Sequence, residues 1–179
     1  MENHDVVILG SGPGGYVTAI RASQLGFNTA IIEKESLGGI CLNWGCIPTK
    51  ALLKSAEVYE YLNHAESYGI DVENFSKNFE KVIKRSRTVA GTMSKGVNFL
   101  MKKNKIKVYS GFGKLNSDKT ITVTNDEKTI NVSAEHIIIA TGARSRDIDS
   151  LKKDGEKIIG YRKAMVLDKQ PKEMIIVGS

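Results

Sequence analysis

The sequence predicts an α/β fold: a parallel sheet, covering helices and a small antiparallel β insertion. Three observations predict it. Continuous apolar runs at Val6-Val7-Ile8-Leu9, Thr29-Ala30-Ile31-Ile32 and Ile137-Ile138-Ile139-Ala140 read as strands buried on both faces of a sheet. A stretch of helical periodicity lies between the first two runs, which makes a strand–helix–strand unit. The alternating stretches Ile121-Thr122-Val123-Thr124 and Ile130-Asn131-Val132 flank the turn-prone Asn125-Asp126 and read as a hairpin outside the main sheet.

In chain order, the first strand closes at Gly10. Tyr16 to Leu25 follows as a helix, with Val17, Ala19, Ile20 and Leu25 toward the core and Gly26 as its stop. The second strand ends at Glu33. A segment rich in glycine and cysteine runs from Leu37 to Lys50. Ala51 to Glu66 reads as helix, and so does Phe75 to Lys103, with a bend or break expected at Gly91 or Gly96. Ile106 to Tyr109 is a further strand. Arg144 to Gln170 is polar with weak periodicity, as in a connector. Met174-Ile175-Ile176-Val177-Gly178-Ser179 repeats the pattern of Val7-Ile8-Leu9-Gly10-Ser11. The expected organisation is therefore a nucleotide-binding domain over 1–145, a connector over 146–170, and the first strand of a second, truncated nucleotide-binding domain over 171–179.

The chain has 179 residues, 41% of them hydrophobic, which suits one packed domain plus part of another. No apolar run approaches the ~18 residues of a membrane span. The strand pattern starts directly after Met1-Glu2-Asn3-His4, so no signal peptide is expected, and a soluble cytoplasmic protein is. The net charge of +6 is spread over many lysines. No basic run alternates with aromatics, so nucleic acid is not an expected partner.

Gly10, Gly12 and Gly15 form a G-x-G-x-x-G turn, with Gly14 as a fourth glycine. The turn follows a strand and opens a helix, and Glu33 stands at the end of the next strand. That is the context of a Rossmann-like dinucleotide site. The helix N-terminus would face a pyrophosphate. Glu33 would accept hydrogen bonds from ribose hydroxyls and repel a 2′-phosphate, so FAD or NAD fits there and NADP does not.

Cys41 and Cys46 are the only cysteines. A close pair in a reducing compartment points to redox or metal chemistry more than to a structural staple. In an ideal helix, Cα atoms five positions apart lie about 8–9 Å from each other. A disulfide needs roughly 4.4–6.8 Å. Bridging would thus demand a distorted turn, which Gly45 and Pro48 are placed to allow. Zinc is disfavoured, because His4, His64 and His136 lack ligand spacing and a structural site takes about four ligands. A structural disulfide and two unpaired thiols remain as alternatives on spacing alone.

The segment Gly38-Gly39-Ile40-Cys41-Leu42-Asn43-Trp44-Gly45-Cys46-Ile47-Pro48-Thr49-Lys50 is similar to the redox motif of the class I pyridine nucleotide–disulfide oxidoreductases. Its Leu42-Asn43 spacer and the following Thr49-Lys50-Ala51-Leu52-Leu53 look most like the dihydrolipoamide dehydrogenase branch. The resemblance implies an FAD-binding domain and a redox-active disulfide. It assigns Cys46 to the flavin side and Cys41 to interchange with substrate. It places Lys50 near flavin N5, the Gly113 backbone against the adenine portion, and Thr141-Gly142-Ala143 in the turn that closes over FAD. Lys34 and Gly39 complete the implied cofactor set. No metal is implied.

For the complete enzyme, the resemblance implies oxidation of dihydrolipoamide with electrons passed through FAD to NAD. It also implies a homodimer that serves lipoyl groups of 2-oxo acid dehydrogenase or glycine cleavage complexes. The family's general-base histidine and NAD site lie in parts that this sequence does not include, so the chain alone is expected to be inactive. Ile148-Asp149 departs from a leucine–proline segment common in the family, a difference confined to the connector. Glutathione- or mercuric-reductase-like activity, and a stand-alone FAD-binding module without turnover, are the alternatives.

Overall fold

The computed structural model describes residues 1–126 and 128–178. Strand β1 (Glu2–Leu9) leads into helix α1 (Pro13–Gln24) and strand β2 (Thr29–Glu33). Helices α2 (Gly39–Trp44), α3 (Cys46–Asn63) and α4 (Phe79–Lys103) follow. Strands β3 (Lys107–Ser110), β4 (Phe112–Leu115), β5 (Thr120–Thr124) and β6 (Thr129–Ile139) complete the sheet, and a short helix α5 (Tyr161–Ala164) lies beyond it.

The strands form one six-stranded sheet in the order β3-β2-β1-β6-β5-β4. β1 sits at its centre, parallel to β2 through Val6 and Thr29 and parallel to β6 through Val6 and His136. β3 extends the parallel part beside β2, while β4, β5 and β6 pair antiparallel. The expected separate hairpin is therefore corrected. β6 is one long strand that bonds to β5 along Thr129–Ser133 and to β1 along Val132–Ile139, with Val132 and Ser133 paired on both sides. The antiparallel strands belong to the same, mixed sheet.

Apolar side chains fill both faces of β1 and β2. On one face, Val6, Ile8 and Ile31 pack under Ala19 of α1, Leu42 of α2, and Val97 and Met101 of α4. On the other, Val7, Ala30 and Ile32 meet Tyr109, Ile121, Val123 and Val132. Burying each such isoleucine contributes about 1.5–3 kcal/mol. β4 curls over this second face: a Cβ on Gly113 would sit 3.1 Å from Ile32 Cγ2.

Several sequence expectations change. Val17 and Leu25 are 55% and 59% exposed, because α1 packs through Gly15 and Ala19, one helical turn apart. α3 starts earlier than expected, at Cys46. α4 runs unbroken through Gly91 and Gly96. Asn78 caps it by accepting from the Lys81 amide at 2.9 Å, and Ser86, Ala90, Val97 and Met101 bury its inner stripe. That packing offsets the glycines' weak helix propensity. Residues 174–178 lie outside the sheet described above, and Ile175 is 91% exposed. Ser179 lies outside the described residues. Among the described residues, no helix is long and apolar enough to cross a membrane.

Two glycine substitutions should act with opposite sign. A Cβ on Gly91 meets nothing within 4 Å, so Gly91→Ala should stabilise the chain by about 0.4–1 kcal/mol. A Cβ on Gly15 would press into the Gly10 carbonyl, its carbon only 2.9 Å away, so Gly15→Ala should cost about 1–3 kcal/mol. Urea unfolding measures both, and shifts of the same sign would contradict the packing described.

Candidate functional site

Three chain segments converge at the carboxyl ends of β1, β2 and β6. Gly10 leaves β1 with φ of 101°, a left-handed value open to glycine, and its amide donates to the Ile32 carbonyl at 2.9 Å. Ala140 then bonds back to the Leu9 carbonyl at 2.8 Å. A Cβ on Gly10 would lie 2.8 Å from the Ala140 carbonyl carbon and 3.1 Å from Thr141 Cα. The turn at Thr141-Gly142-Ala143 is thus seated against the glycine turn. Gly12 is the N-cap of α1 and Pro13 its first residue. Open space lies beside both Gly12 and Gly14. Free N–H groups and the positive end of the α1 dipole face that space. The chain leaves β1 toward β2 on one side while β6 flanks it on the other, which is the topological switch point where α/β sheets bind ligands.

Glu33 is held at the edge of this opening. Its Oε2 accepts from the Ser11 amide at 3.0 Å and from the Ser11 hydroxyl at 2.6 Å, and its Oε1 accepts from the Glu35 amide at 2.9 Å. Ser11 is fully buried. Sequence reasoning missed it, although its place between Gly10 and Gly12 marks it as near the turn. Beside Glu33 lies a polar groove of about 410 Å³ lined by Ser36, Lys95, Asn98 and Ser110 among others. Lys34, directly after β2, is exposed.

The cysteine segment packs directly on the glycine turn. The Gly38 amide donates to the Ser11 carbonyl at 3.0 Å. Gly39 has φ of 59°, and a Cβ there would lie 2.7 Å from Gly12 Cα. Cys41 lies within α2. Gly45, at φ −139° and ψ −115°, separates α2 from α3, so the expected distortion is a complete break. Cys46 opens α3, at the positive end of that helix. Pro48 follows in the first turn, where the missing N–H costs nothing. Lys50 stands one turn further along, exposed, with no hydrogen bond or ion pair among the described residues.

Both cysteines are free thiols, Cys41 half-buried and Cys46 exposed. The Cys41 thiol is held above the ordinary range, first by its hydrogen bond to the Cys46 sulfur, then by burial and by the Cys46 charge. Cys41 therefore keeps its proton longer than a free thiol does.

A cluster around Trp44 was not legible in the sequence. The Arg87 guanidinium lies 4.8 Å from the Trp44 ring and that of Arg162 lies 5.4 Å from it. Arg162 pairs with Glu35 at 3.0 Å. These residues are too far apart in sequence for any local pattern to join them. Gly113 is paired with Val123 in β4 and pressed against Leu9 and Ile32, so packing alone explains the lack of a side chain there.

The thiols should differ in reactivity. With the flavin absent, iodoacetamide near pH 7.5 should modify exposed Cys46 before Cys41. The rate for Cys41 should rise with pH along a curve centred above the usual thiol value of about 8.5. Cys46→Ala removes the acceptor and should move that curve down. Faster labelling of Cys41, read by peptide mass spectrometry, would contradict the arrangement.

Comparison with known proteins agrees with this geometry. The family model described as pyridine nucleotide-disulphide oxidoreductase matches residues 4–179. A dihydrolipoyl dehydrogenase of Rhizobium etli is 50% identical over 99% of this chain and 40% of its own length. That of Bacillus subtilis is 46% identical over 98% of this chain and 39% of its own. The crystal structure of LpdA from Mycobacterium tuberculosis aligns with a TM-score of 0.83 at 26% identity, covering 94% of this chain and 38% of that one. The chain thus spans about two-fifths of the length of these relatives. With its nucleotide turn and paired cysteines, the chain belongs to the pyridine nucleotide-disulphide oxidoreductase family.

Proposed function

We propose that this chain supplies the flavin site and the redox-active dithiol of a dihydrolipoyl dehydrogenase. The observation that carries the proposal is the packing of Gly39 on Gly12, which holds the cysteine segment against the nucleotide turn. A dithiol and a dinucleotide would then share one opening at the carboxyl ends of the strands.

The residues present fit FAD. The open space at Gly12 and Gly14 admits a pyrophosphate, which the α1 N-terminus would stabilise. Glu33 would take the ribose hydroxyls, with Ser11 already orienting its carboxylate. The polar groove beside Glu33 suits the adenosine end. Thr141-Gly142-Ala143 would close over the cofactor, and the Gly113 backbone would approach the adenine portion. When bound, the flavin supplies two-electron transfer between a dithiol and a nicotinamide. Lys34 and Lys50 add positive charge around this opening, and Lys50 shares a helix face with Cys46. Cys46, exposed at the start of α3, would face the flavin. Cys41 is left as the sulfur that a dihydrolipoamide thiolate would attack in the Cys41–Cys46 disulfide, with Cys46 leaving as the thiolate.

In the complete protein the substrate would be dihydrolipoamide, carried on lipoyl groups of 2-oxo acid dehydrogenase or glycine cleavage complexes. The final acceptor would be NAD, the assembly a homodimer, and the compartment the cytoplasm.

The test is reduction of bound FAD by dihydrolipoamide without oxygen, followed by loss of flavin absorbance. This half-reaction needs the cysteine pair in its disulfide form and the flavin but no nicotinamide site, so a chain without turnover can still carry it out. The wild-type chain should bleach. Cys41→Ser and Cys46→Ser should each slow bleaching at least about 100-fold, and bleaching that survives either change would overturn the assignment. Gly12→Val should weaken FAD binding by at least tenfold, read by flavin fluorescence, while leaving the urea midpoint near wild type.

A further inference from the structure

We propose that Arg87 is a positioning residue for the cysteine pair: from α4 it fixes the spacer between the two sulfurs. The proposal rests on reading Cys41 and Cys46 as a redox pair. Its basis is a set of contacts that converge on the spacer. Because Gly45 ends α2, the last carbonyls of that helix lack the amides of a next turn. Arg87 Nη1 donates to one of them, the Asn43 carbonyl, at 2.7 Å. Asn43 is also held from its side chain, whose Nδ2 donates to the Leu37 carbonyl at 3.1 Å and the Gly39 carbonyl at 2.9 Å. Ser94, about two turns further along α4, donates to the same Leu37 carbonyl at 2.8 Å. The Arg87 guanidinium meanwhile stacks on Trp44, the residue between Asn43 and the break.

This placement is not a solvated surface charge. Arg87 Nε and Nη2 are buried with no hydrogen-bond partner among the described residues, and burial lowers the proton affinity of the group. Burying unpaired N–H groups costs stability. What the arrangement secures is the peptide two residues after Cys41 and three before Cys46. A rigid spacer keeps each thiol at high effective concentration toward the other. Closing the disulfide takes two electrons and two protons from the pair. In the test below, glutathione disulfide accepts them and leaves as two glutathione thiols. With the spacer loosened, closure becomes less favourable and the equilibrium shifts toward the dithiol.

The full chain, with FAD present, is equilibrated in glutathione buffers, acid-quenched, alkylated and analysed by mass spectrometry. Arg87→Met should shift the balance toward dithiol by roughly tenfold, about 30 mV for a two-electron couple. Arg87→Lys, which keeps a donor but not the planar fork, should shift it by roughly threefold. Arg85→Met is the control. Arg85 lies on the same helix but donates to Ala51, outside the spacer, at 2.8 Å, and its loss should shift the balance less than about twofold. A folded Arg87→Met protein with the wild-type equilibrium, or equal shifts for Arg85→Met and Arg87→Met, overturns the proposal. Should Arg87→Met fail to fold by circular dichroism, Arg87→Lys decides, and an unchanged equilibrium overturns it. A wild-type chain that forms no disulfide at any buffer ratio refutes the redox reading itself, and the proposal falls with it.

Discussion

Gly15 lies against the carbonyl of Gly10, and no side chain fits between them. This contact brings the start of α1 down onto the end of β1. It sets where the helix N-terminus points, and so where a phosphate could bind. It also fixes the platform on which other segments are stacked. The Ala140–Thr141 turn meets it from β6, Glu33 is tied to it through Ser11, and Gly39 rests on Gly12. The contacts at Gly10, Gly15 and Gly39 set backbone against backbone, while Glu33 reaches Ser11 through its carboxylate. A Cβ at Gly10, Gly15 or Gly39 would meet backbone there, whereas the space beside Gly12 and Gly14 is open.

The same platform determines how the cysteines are presented. α2 and α3 would be one helix but for Gly45, and one ideal helix would hold the two Cα atoms too far apart for a disulfide. The break brings the cysteines close enough for Cys46 to be the first cause that raises the Cys41 thiol above its ordinary range. It also makes the two thiols unequal. Cys46 gains a helix N-terminus and exposure, whereas Cys41 gains a sulfur acceptor and partial burial. The proposed division of labour therefore has a basis in local geometry, beside the resemblance that first implied it.

Much of this was readable in the chain, because the signals are local. The buried strands, the glycine turn and the cysteine motif each declare themselves within a dozen residues. What was not readable depends on distant partners. Val17 looked like core, but the stripe that packs is set by Gly15 and Ala19. Gly91 and Gly96 looked like breaks, but tertiary burial along α4 overrides propensity. The hairpin looked like an insertion, because β6 shows its polar Ser133-Ala134-Glu135-His136 stretch in mid-strand and so reads as two pieces. Arg87 and Arg162 carry no motif at all. Only the fold brings them to Trp44.

The most direct test is a crystal structure of the chain with FAD. The pyrophosphate should lie over Gly12 at the N-terminus of α1, with a ribose on Glu33. Cys46 should be the sulfur nearer the isoalloxazine ring, with Cys41 beyond it. A flavin bound away from the glycine turn, or one with Cys41 as the nearer sulfur, would contradict the account.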